Sequence, residues 1–190
     1  MKPALFLDRD GVINLDHGYV HKQEDFQFVA GIFELVSLAN RSGYVVVIVT
    51  NQAGIARGYY NNDQFHALSQ WMTQEFHRNG AIIDAIYHCP HHPLEGIGNS
   101  RQFCQCRKPA PGMLLQASSD HAIALEQSIL IGDRITDIEA GRRAGVPHLF
   151  LFQPNEPSSS DGQSSAAFRR IGHLLDPTLR ALFSVKNTIS

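Results

Sequence analysis

The sequence has no apolar run of about 18 residues, which is the length that an α-helix needs to cross a bilayer. Its amino terminus, MKPALFLDRD, has one lysine and a short apolar run that ends in charged residues, unlike a secretory signal peptide. The formal net charge is only −2, so no excess of positive charge favours nucleic acid or a membrane surface as a partner. We therefore expect a cytoplasmic protein whose partner is a small molecule.

Cysteine is scarce, and all three cysteines lie within residues 89–110. An odd number in a chain without signs of secretion argues against a disulfide framework. Cys89, Cys104 and Cys106 occur with His91 or His92 in the pattern C-x-H … C-x-C, and three thiolates with one imidazole suit a closed, tetrahedral Zn²⁺ site. The alternative is a buried thiol at a strand end and two free cysteines. The clustering favours zinc, which would hold together this segment, here named the cysteine loop.

Short apolar runs alternate with segments of helical periodicity. Most of the runs lack alternation of apolar and polar residues, as is typical of strands buried on both faces, and they lie at residues 4–8, 45–50, 81–88, 128–132 and 147–152. Helical patterns lie at residues 32–39, 65–76, 111–121 and 135–144. This order predicts an α/β fold with a doubly wound, mostly parallel sheet, in a single domain over residues 1–190. No stretch of ~100 residues is left for a large cap domain.

The end of the chain departs from this alternation. Residues 153–165, QPNEPSSSDGQSS, have the composition of a linker or a mobile loop. Residues 166–190 follow, and the sequence FRRIGHLLDPTLRALF within them predicts an edge strand and a terminal helix packed on the sheet.

Polar residues follow three of the predicted strands, as DRD, TNQ and GDR. Because the carboxyl ends of parallel strands meet at one edge of a sheet, Asp8, Asp10, Asp133 and Asp137 should lie close together there. Carboxylates gathered in a cleft either raise one another's pKa or hold a cation, and oxygen ligands suit Mg²⁺. Aspartates that only cap turns are the alternative. That alternative does not account for Asp10, so we favour a metal.

Two further groups suit phosphoryl transfer. Thr50 supplies a hydroxyl at the end of the second predicted strand, and Lys108 supplies an ammonium group. Such groups can stabilise the charge that spreads over the phosphoryl oxygens in the transition state. An aspartate that attacks phosphorus gives an aspartyl-phosphate. A second acid two residues later can protonate the leaving alcohol and then deprotonate the water that hydrolyses this intermediate.

Four motifs occur in order along the chain: DRDGVIN, VVIVTNQ, CRKP and IGDRITD. Together they resemble the motifs of the haloacid dehalogenase (HAD) superfamily of phosphohydrolases, over about residues 3–152, and the ordered set is more specific than any single motif. The resemblance implies that Asp8 is the nucleophile and that Asp10 is the general acid and base. It also implies that Thr50 and Lys108 stabilise the phosphoryl group.

The same resemblance implies a Mg²⁺ site. Its ligands would be the carboxylates of Asp8 and Asp133 and the backbone carbonyl of Asp10, with Asp137 as an anchor outside the ligand sphere. A signalling receiver domain is the rival interpretation, because it is also doubly wound and also uses Asp, Thr and Lys. Receivers carry the phosphate-accepting aspartate at the end of a middle strand, however, and no aspartate ends the run VVVIVT.

The cysteine loop, DHGYVH (16–21) and QAGIARG (52–58) resemble one branch of that superfamily, the heptose-1,7-bisphosphate 7-phosphatases. The resemblance implies Zn²⁺ bound by Cys89, His91, Cys104 and Cys106, with His92 outside the site. It also implies removal of the 7-phosphate of D-glycero-D-manno-heptose 1,7-bisphosphate, on the way to the nucleotide-activated heptose of the lipopolysaccharide core. The alternative is a histidinol-phosphate phosphatase of histidine biosynthesis, from the neighbouring branch. We expect a monomer in either case.

The resemblance also implies a set of residues that contact the sugar phosphate: Asp16, His17, Gly18, Tyr19, Thr50, Asn51, Gln52, Ala53, Arg107 and Arg134. Arg107 would suit the second, remote phosphate, because a guanidinium group binds phosphate through two hydrogen bonds. The alternative for Arg107 is a solvent-facing side chain beside the cysteine loop. Related sequences often have lysine in place of Arg134, which keeps the charge but changes the geometry of the contact.

Overall fold

The computed structural model describes residues 1–154 and 168–184. These residues form one parallel sheet with the strands β1 (Ala4–Leu7), β2 (Val45–Asn51), β3 (Ala85–Cys89), β4 (Ile129–Gly132), β5 (His148–Phe152) and β6 (Arg169–Ile171). The order across the sheet is β3-β2-β1-β4-β5-β6. The predicted α/β class with a doubly wound parallel sheet is therefore confirmed. Most of the predicted linker, residues 155–165, lies outside the described residues.

Strand β1 lies between β2 and β4, and all of its residues are buried. The chain runs outward from β1 to β2 and β3 and then returns to β4, so the strand order reverses between β1 and β4. In open parallel sheets, ligands bind at such a reversal, beyond the carboxyl ends of the strands. The register pairs Leu7 with Ile48 on one side and with Ile131 on the other. The residues that follow these three strands therefore meet at one edge.

Helices cover both faces of the sheet. They are α1 (Ile32–Arg41), α2 (Ala53–Ala56), α3 (Asn62–Arg78), α4 (Gly112–His121), α5 (Ile135–Ala144) and α6 (Pro177–Ser184), with short 3₁₀ turns at Gln23–Asp25, Gly98–Ser100 and Leu125–Gln127. Alternate residues of β1 point to opposite faces. Leu5 and Leu7 join an apolar cluster with α1, α3 and α6, whereas Ala4 and Phe6 join one with α4 and α5. The sheet is thus buried on both sides.

Strand β3 begins later than its sequence predicts. The apolar run suggested a strand over residues 81–88, but pairing with β2 starts at Ala85. Asp84 accounts for the difference: its backbone N–H donates to Val46 O at 2.9 Å, and its carboxylate accepts the Val46 N–H at 2.7 Å. The Asp84 side chain therefore takes the place of a backbone partner and ends the ladder.

The described part of residues 166–190 contains β6, parallel to β5 at the edge of the sheet, and α6. Leu179 and Phe183 of α6 are buried, and the Phe183 ring lies 5.1 Å from the ring of Tyr44. Residues 185–190 lie outside the described part. Within the described ranges, no helix is both long enough and apolar enough to span a membrane.

Candidate active site

Three carboxylates meet where the strand order reverses. Asp8 follows β1, Asp133 follows β4, and Asp137 lies in the first turn of α5; one oxygen of each lies within 4.8 Å of the others. Asp133 Oδ1 is buried without a hydrogen-bond partner. Gly11 lies against the same side chain, and a Cβ atom at Gly11 would stand 2.4 Å from Asp133 Oδ2. This close, oxygen-only group with an unsatisfied buried oxygen fits a hard divalent cation such as Mg²⁺.

The carboxylates repel one another strongly. Burial raises the pKa of Asp8 to about 8; Lys108 opposes this rise, and the charges of Asp137 and Asp133 reinforce it. Burial and the charge of Asp137 likewise raise the pKa of Asp133 to about 6. A bound divalent cation would relieve this repulsion and favour the ionised form of each carboxylate.

Lys108 is a buried cation that contacts two of these carboxylates. Its Nζ lies 3.0 Å from Asp8 Oδ2 and 2.6 Å from Asp137 Oδ1, and its side chain is 1% exposed. Burial alone would lower the pKa of Lys108, but these two carboxylates raise it. Asn51 fixes the backbone of Lys108 from both sides, because Asn51 Nδ2 donates to Lys108 O (3.1 Å) and Asn51 Oδ1 accepts the Lys108 N–H (3.0 Å). The side chain of Asn51 therefore positions the lysine.

The Asp10 carboxylate is surrounded by donors. Its Oδ1 accepts hydrogen bonds from Arg9 Nη2 (2.9 Å) and Asn14 Nδ2 (3.1 Å), and its Oδ2 accepts from Gln52 Nε2 (3.0 Å). Arg9 is almost completely buried, and its Nη2 also donates to Val20 O at 2.7 Å. These hydrogen bonds fix the position of the Asp10 carboxylate at the edge of the cavity.

A cavity of about 470 Å³ opens over these groups, and it is lined by the reactive residues and by every predicted substrate contact except His17. His17 instead lines a neighbouring cleft of about 400 Å³, where its Nε2 lies 3.3 Å from Gln27 Oε1. Five further residues line the main cavity without having been predicted as site residues: Arg57, Tyr60, His92, Ile135 and Thr136. Arg57 lies within the QAGIARG motif, but nothing in the sequence indicated that its side chain lines the cavity.

The three arginines of this cavity differ in their partners. Arg134 Nη2 lies 2.9 Å from Asp16 Oδ2, and its side chain is 66% exposed. Arg57 is paired with Glu95, and its guanidinium carbon lies 5.4 Å from the centre of the Tyr19 ring. The guanidinium group of Arg107 donates to the His91 carbonyl at 3.2 Å and forms no ion pair within residues 1–154 and 168–184. Arg107 thus offers an uncompensated charge.

The cysteine loop brings its four predicted ligands together. Cys106 Sγ lies 3.2 Å from both Cys89 Sγ and Cys104 Sγ and 3.4 Å from His91 Nδ1, and all three thiols are free. These separations fit four ligand atoms around one metal at the roughly 2.3 Å of Zn–S bonds. His92 points away from the sulfurs. Its Nδ1 accepts the backbone N–H of Glu95 at 3.0 Å, and its Nε2 lies 3.3 Å from the Glu95 carboxylate.

Comparisons with known proteins give a consistent result. Residues 105–152 match the family described as "HAD-hyrolase-like". The chain is similar to the D-glycero-beta-D-manno-heptose-1,7-bisphosphate 7-phosphatase of Vibrio cholerae, with 48% identity over 165 residues that cover 87% of this chain and 89% of the relative. It is also similar to the D-glycero-alpha-D-manno-heptose-1,7-bisphosphate 7-phosphatase of Burkholderia mallei, with 49% identity over 166 residues that cover 87% and 88%.

Solved structures are similar as well. A had-like phosphatase from Mesorhizobium loti matches with a TM-score of 0.86 and 32% identity, over 100% of this chain and 89% of the other. The D,D-heptose 1,7-bisphosphate phosphatase of B. bronchiseptica, in a complex with magnesium and phosphate, matches with a TM-score of 0.78 and 26% identity, over 96% and 99%.

Proposed function

Because the chain belongs to the heptose-1,7-bisphosphate 7-phosphatase family of HAD phosphatases, we propose that it hydrolyses the 7-phosphate of D-glycero-D-manno-heptose 1,7-bisphosphate. The observation that carries the substrate assignment is Arg107. This uncompensated guanidinium group lines the same cavity as Asp8 and is available for a second phosphate on the same molecule. Histidinol phosphate has only one phosphate, so it would leave this charge unused.

In the first step, we propose that Asp8 attacks phosphorus. Its carboxylate is held by the Arg9 backbone N–H, 2.7 Å from Oδ1, and by Lys108 Nζ, 3.0 Å from Oδ2. A bond forms between an Asp8 oxygen and phosphorus as the bond to the sugar oxygen breaks, and Asp10 transfers a proton to that oxygen. Lys108 and the Thr50 hydroxyl stabilise charge on the phosphoryl oxygens.

In the second step, water attacks the aspartyl-phosphate. Asp10 accepts the water proton, inorganic phosphate leaves, and the Asp8 carboxylate is restored. The hydrogen-bond donors around Asp10 keep its side chain in the same position for both steps. The proton that it gives up in the first step is thereby regained in the second.

We propose that Mg²⁺ binds to the carboxylates of Asp8 and Asp133 and to the backbone carbonyl of Asp10. When bound, the ion would neutralise charge on the phosphoryl group and on the ligands. Both oxygens of Asp137 already have protein partners: Oδ1 lies 2.6 Å from Lys108 Nζ, and Oδ2 accepts the Arg134 backbone N–H at 3.0 Å. These contacts support its role as an anchor outside the ligand sphere.

We further propose that Cys89, His91, Cys104 and Cys106 hold a structural Zn²⁺. The hydrogen bonds of His92 to its own loop leave His91 as the imidazole of the cluster. We propose that the chain forms a single domain. The metal would fix the part of the cysteine loop in which Arg107 and Lys108 directly follow Cys106. We propose that the protein is a monomeric cytoplasmic enzyme. Its reaction would be a step in the biosynthesis of the nucleotide-activated heptose of the lipopolysaccharide core.

Steady-state kinetics would test the proposal. We expect kcat/KM to be highest for the heptose bisphosphate, far above that for histidinol phosphate. Asp8→Asn should abolish phosphate release while circular dichroism shows an unchanged fold. Faster turnover of histidinol phosphate would assign the protein to the alternative. Near-wild-type release by Asp8→Asn would instead contradict the assignment of the nucleophile.

A further inference from the structure

We propose that Gln52 and Tyr60 are positioning residues, which hold Asp10 and Thr50 in register for proton transfer and phosphoryl stabilisation. This inference rests on the proposed function, because it assumes that Asp10 is the general acid. It reassigns Gln52, which the family resemblance implied to be a substrate contact, and it gives a role to Tyr60, which the sequence did not single out.

The Gln52 amide group joins the two reactive side chains. Gln52 Nε2 lies 3.0 Å from Asp10 Oδ2 and 2.9 Å from Thr50 Oγ1, so each of its two hydrogens can serve one of them. The side chain is 2% exposed, and its remaining polar atom, Oε1, accepts the Tyr60 hydroxyl. All the hydrogen-bonding groups of the Gln52 side chain therefore have protein partners.

The orientation of this amide follows from the chemistry of its neighbours. An ionised Asp10 carboxylate can only accept, so the –NH₂ group of Gln52 must face it, and Oε1 must face Tyr60. Tyr60 must in turn donate its hydroxyl hydrogen. Because Thr50 Oγ1 accepts a hydrogen bond from Gln52, the hydrogen of Thr50 itself is free to point into the cavity. By donating to Gln52 Oε1, the Tyr60 hydroxyl stabilises the amide in the orientation that serves Asp10 and Thr50.

Tyr60 is held firmly enough for this role. Its ring is buried, stacks on His21 with ring centres 5.0 Å apart and planes at 7°, and lies against Gly54, where a Cβ atom would stand 2.2 Å from Tyr60 Cε1. Gly54 of QAGIARG and His21 of DHGYVH therefore share a structural role, which is to pack against the Tyr60 ring. Burial also raises the pKa of Tyr60 to about 12, which keeps its hydroxyl protonated.

The test compares two substrates whose leaving groups differ in their need for a proton. Glycerol 3-phosphate releases an alkoxide that requires general acid catalysis, whereas p-nitrophenyl phosphate releases a stable phenolate. Misplacing a catalytic group by about 1 Å can cost ~10²-fold. For Gln52→Leu we therefore expect kcat/KM on glycerol 3-phosphate, which reports the first chemical step, to fall ~100-fold, with a loss at least ~10-fold smaller on p-nitrophenyl phosphate.

Tyr60→Phe, which removes one oxygen and keeps the ring packing, should show the same pattern with a loss of ~10-fold. The double variant should lose no more activity than Gln52→Leu alone, because both substitutions interrupt the same series of hydrogen bonds from Tyr60 through Gln52 to Asp10. Tyr87→Phe is the matched control: it removes a hydroxyl that bonds Asp120 at 2.7 Å outside the cavity, and it should leave both substrates unaffected. Melting temperatures would verify that each variant is folded.

The results separate failure of this inference from failure of the proposed function. Asp10→Asn must itself lose more kcat/KM on glycerol 3-phosphate than on p-nitrophenyl phosphate; equal losses of kcat/KM would overturn the role of Asp10 as general acid and this inference with it. If Asp10→Asn shows the pattern but the Gln52 and Tyr60 variants raise KM with kcat intact, the two residues contact substrate, and the inference alone is wrong. Equal losses on both substrates in those variants would also overturn it.

Discussion

Raising the pH should destabilise the folded protein when no Mg²⁺ is present, and Asp8 should be the main cause. Burial raises the pKa of Asp8 to about 8, whereas an aspartate in the unfolded chain titrates near 3.9. Between these values, the folded protein holds a proton that the unfolded chain has lost. The free energy of unfolding must therefore fall as the pH rises toward 8.

The window from pH 6.5 to 8 isolates this effect. Burial raises the pKa of Asp133 to about 6, so most of its titration lies below the window. His88 has the opposite effect at lower pH, because burial lowers its pKa to about 4 while an unfolded imidazole titrates near 6.5. For Asp8, a slope of about 1.4 kcal/mol per pH unit, which weakens near the pKa, gives a loss of about 1.6 kcal/mol across the window.

Urea unfolding at pH 6.5 and at pH 8 would measure this loss in protein that has been dialysed free of Mg²⁺ but keeps any zinc. Asp8→Asn cannot titrate at this position and should lack the decline. Saturating Mg²⁺ should also remove the decline from the wild type, because a bound cation favours the ionised carboxylate. Equal declines in the wild type and in Asp8→Asn would refute the reasoning, since Asp8 would then already be ionised in the metal-free folded protein.

Three further predictions concern the other groups of the site. Purified protein should contain about one Zn²⁺, and elemental analysis should show its loss in Cys106→Ser and His91→Ala but not in His92→Ala; the reverse result for the two histidines would move the ligand by one residue. Arg107→Ala should reduce kcat/KM for the heptose bisphosphate by about 30–150-fold, equivalent to about 2–3 kcal/mol, and hardly affect a simple monophosphate. Equal losses would place Arg107 at the reacting phosphate or in the fold. Lys108→Met leaves two buried carboxylates without their cation and should reduce the free energy of unfolding by about 3–5 kcal/mol in urea titrations; near-wild-type stability would show that the lysine is not needed to balance their charge.

The sequence was sufficient for the fold and for the family. Apolar runs without alternation predicted a parallel sheet buried on both faces, and helical periodicity between them predicted the intervening helices, as the structure confirmed. The resemblance drawn from DRDGVIN, VVIVTNQ, CRKP and IGDRITD was confirmed by relatives that are up to 49% identical. Strand ends are predictable because parallel strands must align their carboxyl ends, whatever the details of packing.

Side-chain partners that are distant in the sequence were harder to predict. The TNQ motif placed Asn51 and Gln52 near the site, but only the tertiary structure shows that Asn51 holds the Lys108 backbone and that Gln52 bonds Tyr60. The start of β3 depended on one carboxylate, that of Asp84, which replaces a backbone acceptor. Composition and periodicity do not record such substitutions of a side chain for backbone.

The link between Glu95 and Arg57 ties the tip of the cysteine loop to the residues that follow β2, and the same loop carries Arg107. The groups around Asp8, by contrast, come from the strand ends and from Lys108 at the base of the loop. The segment between His92 and Cys104 therefore contains none of the reactive groups, although its Glu95 holds Arg57, a residue of the cavity wall. Insertions and substitutions between His92 and Cys104 could alter which phosphate ester is chosen while the hydrolytic machinery is inherited unchanged, which is a route by which one phosphatase lineage can acquire new substrates.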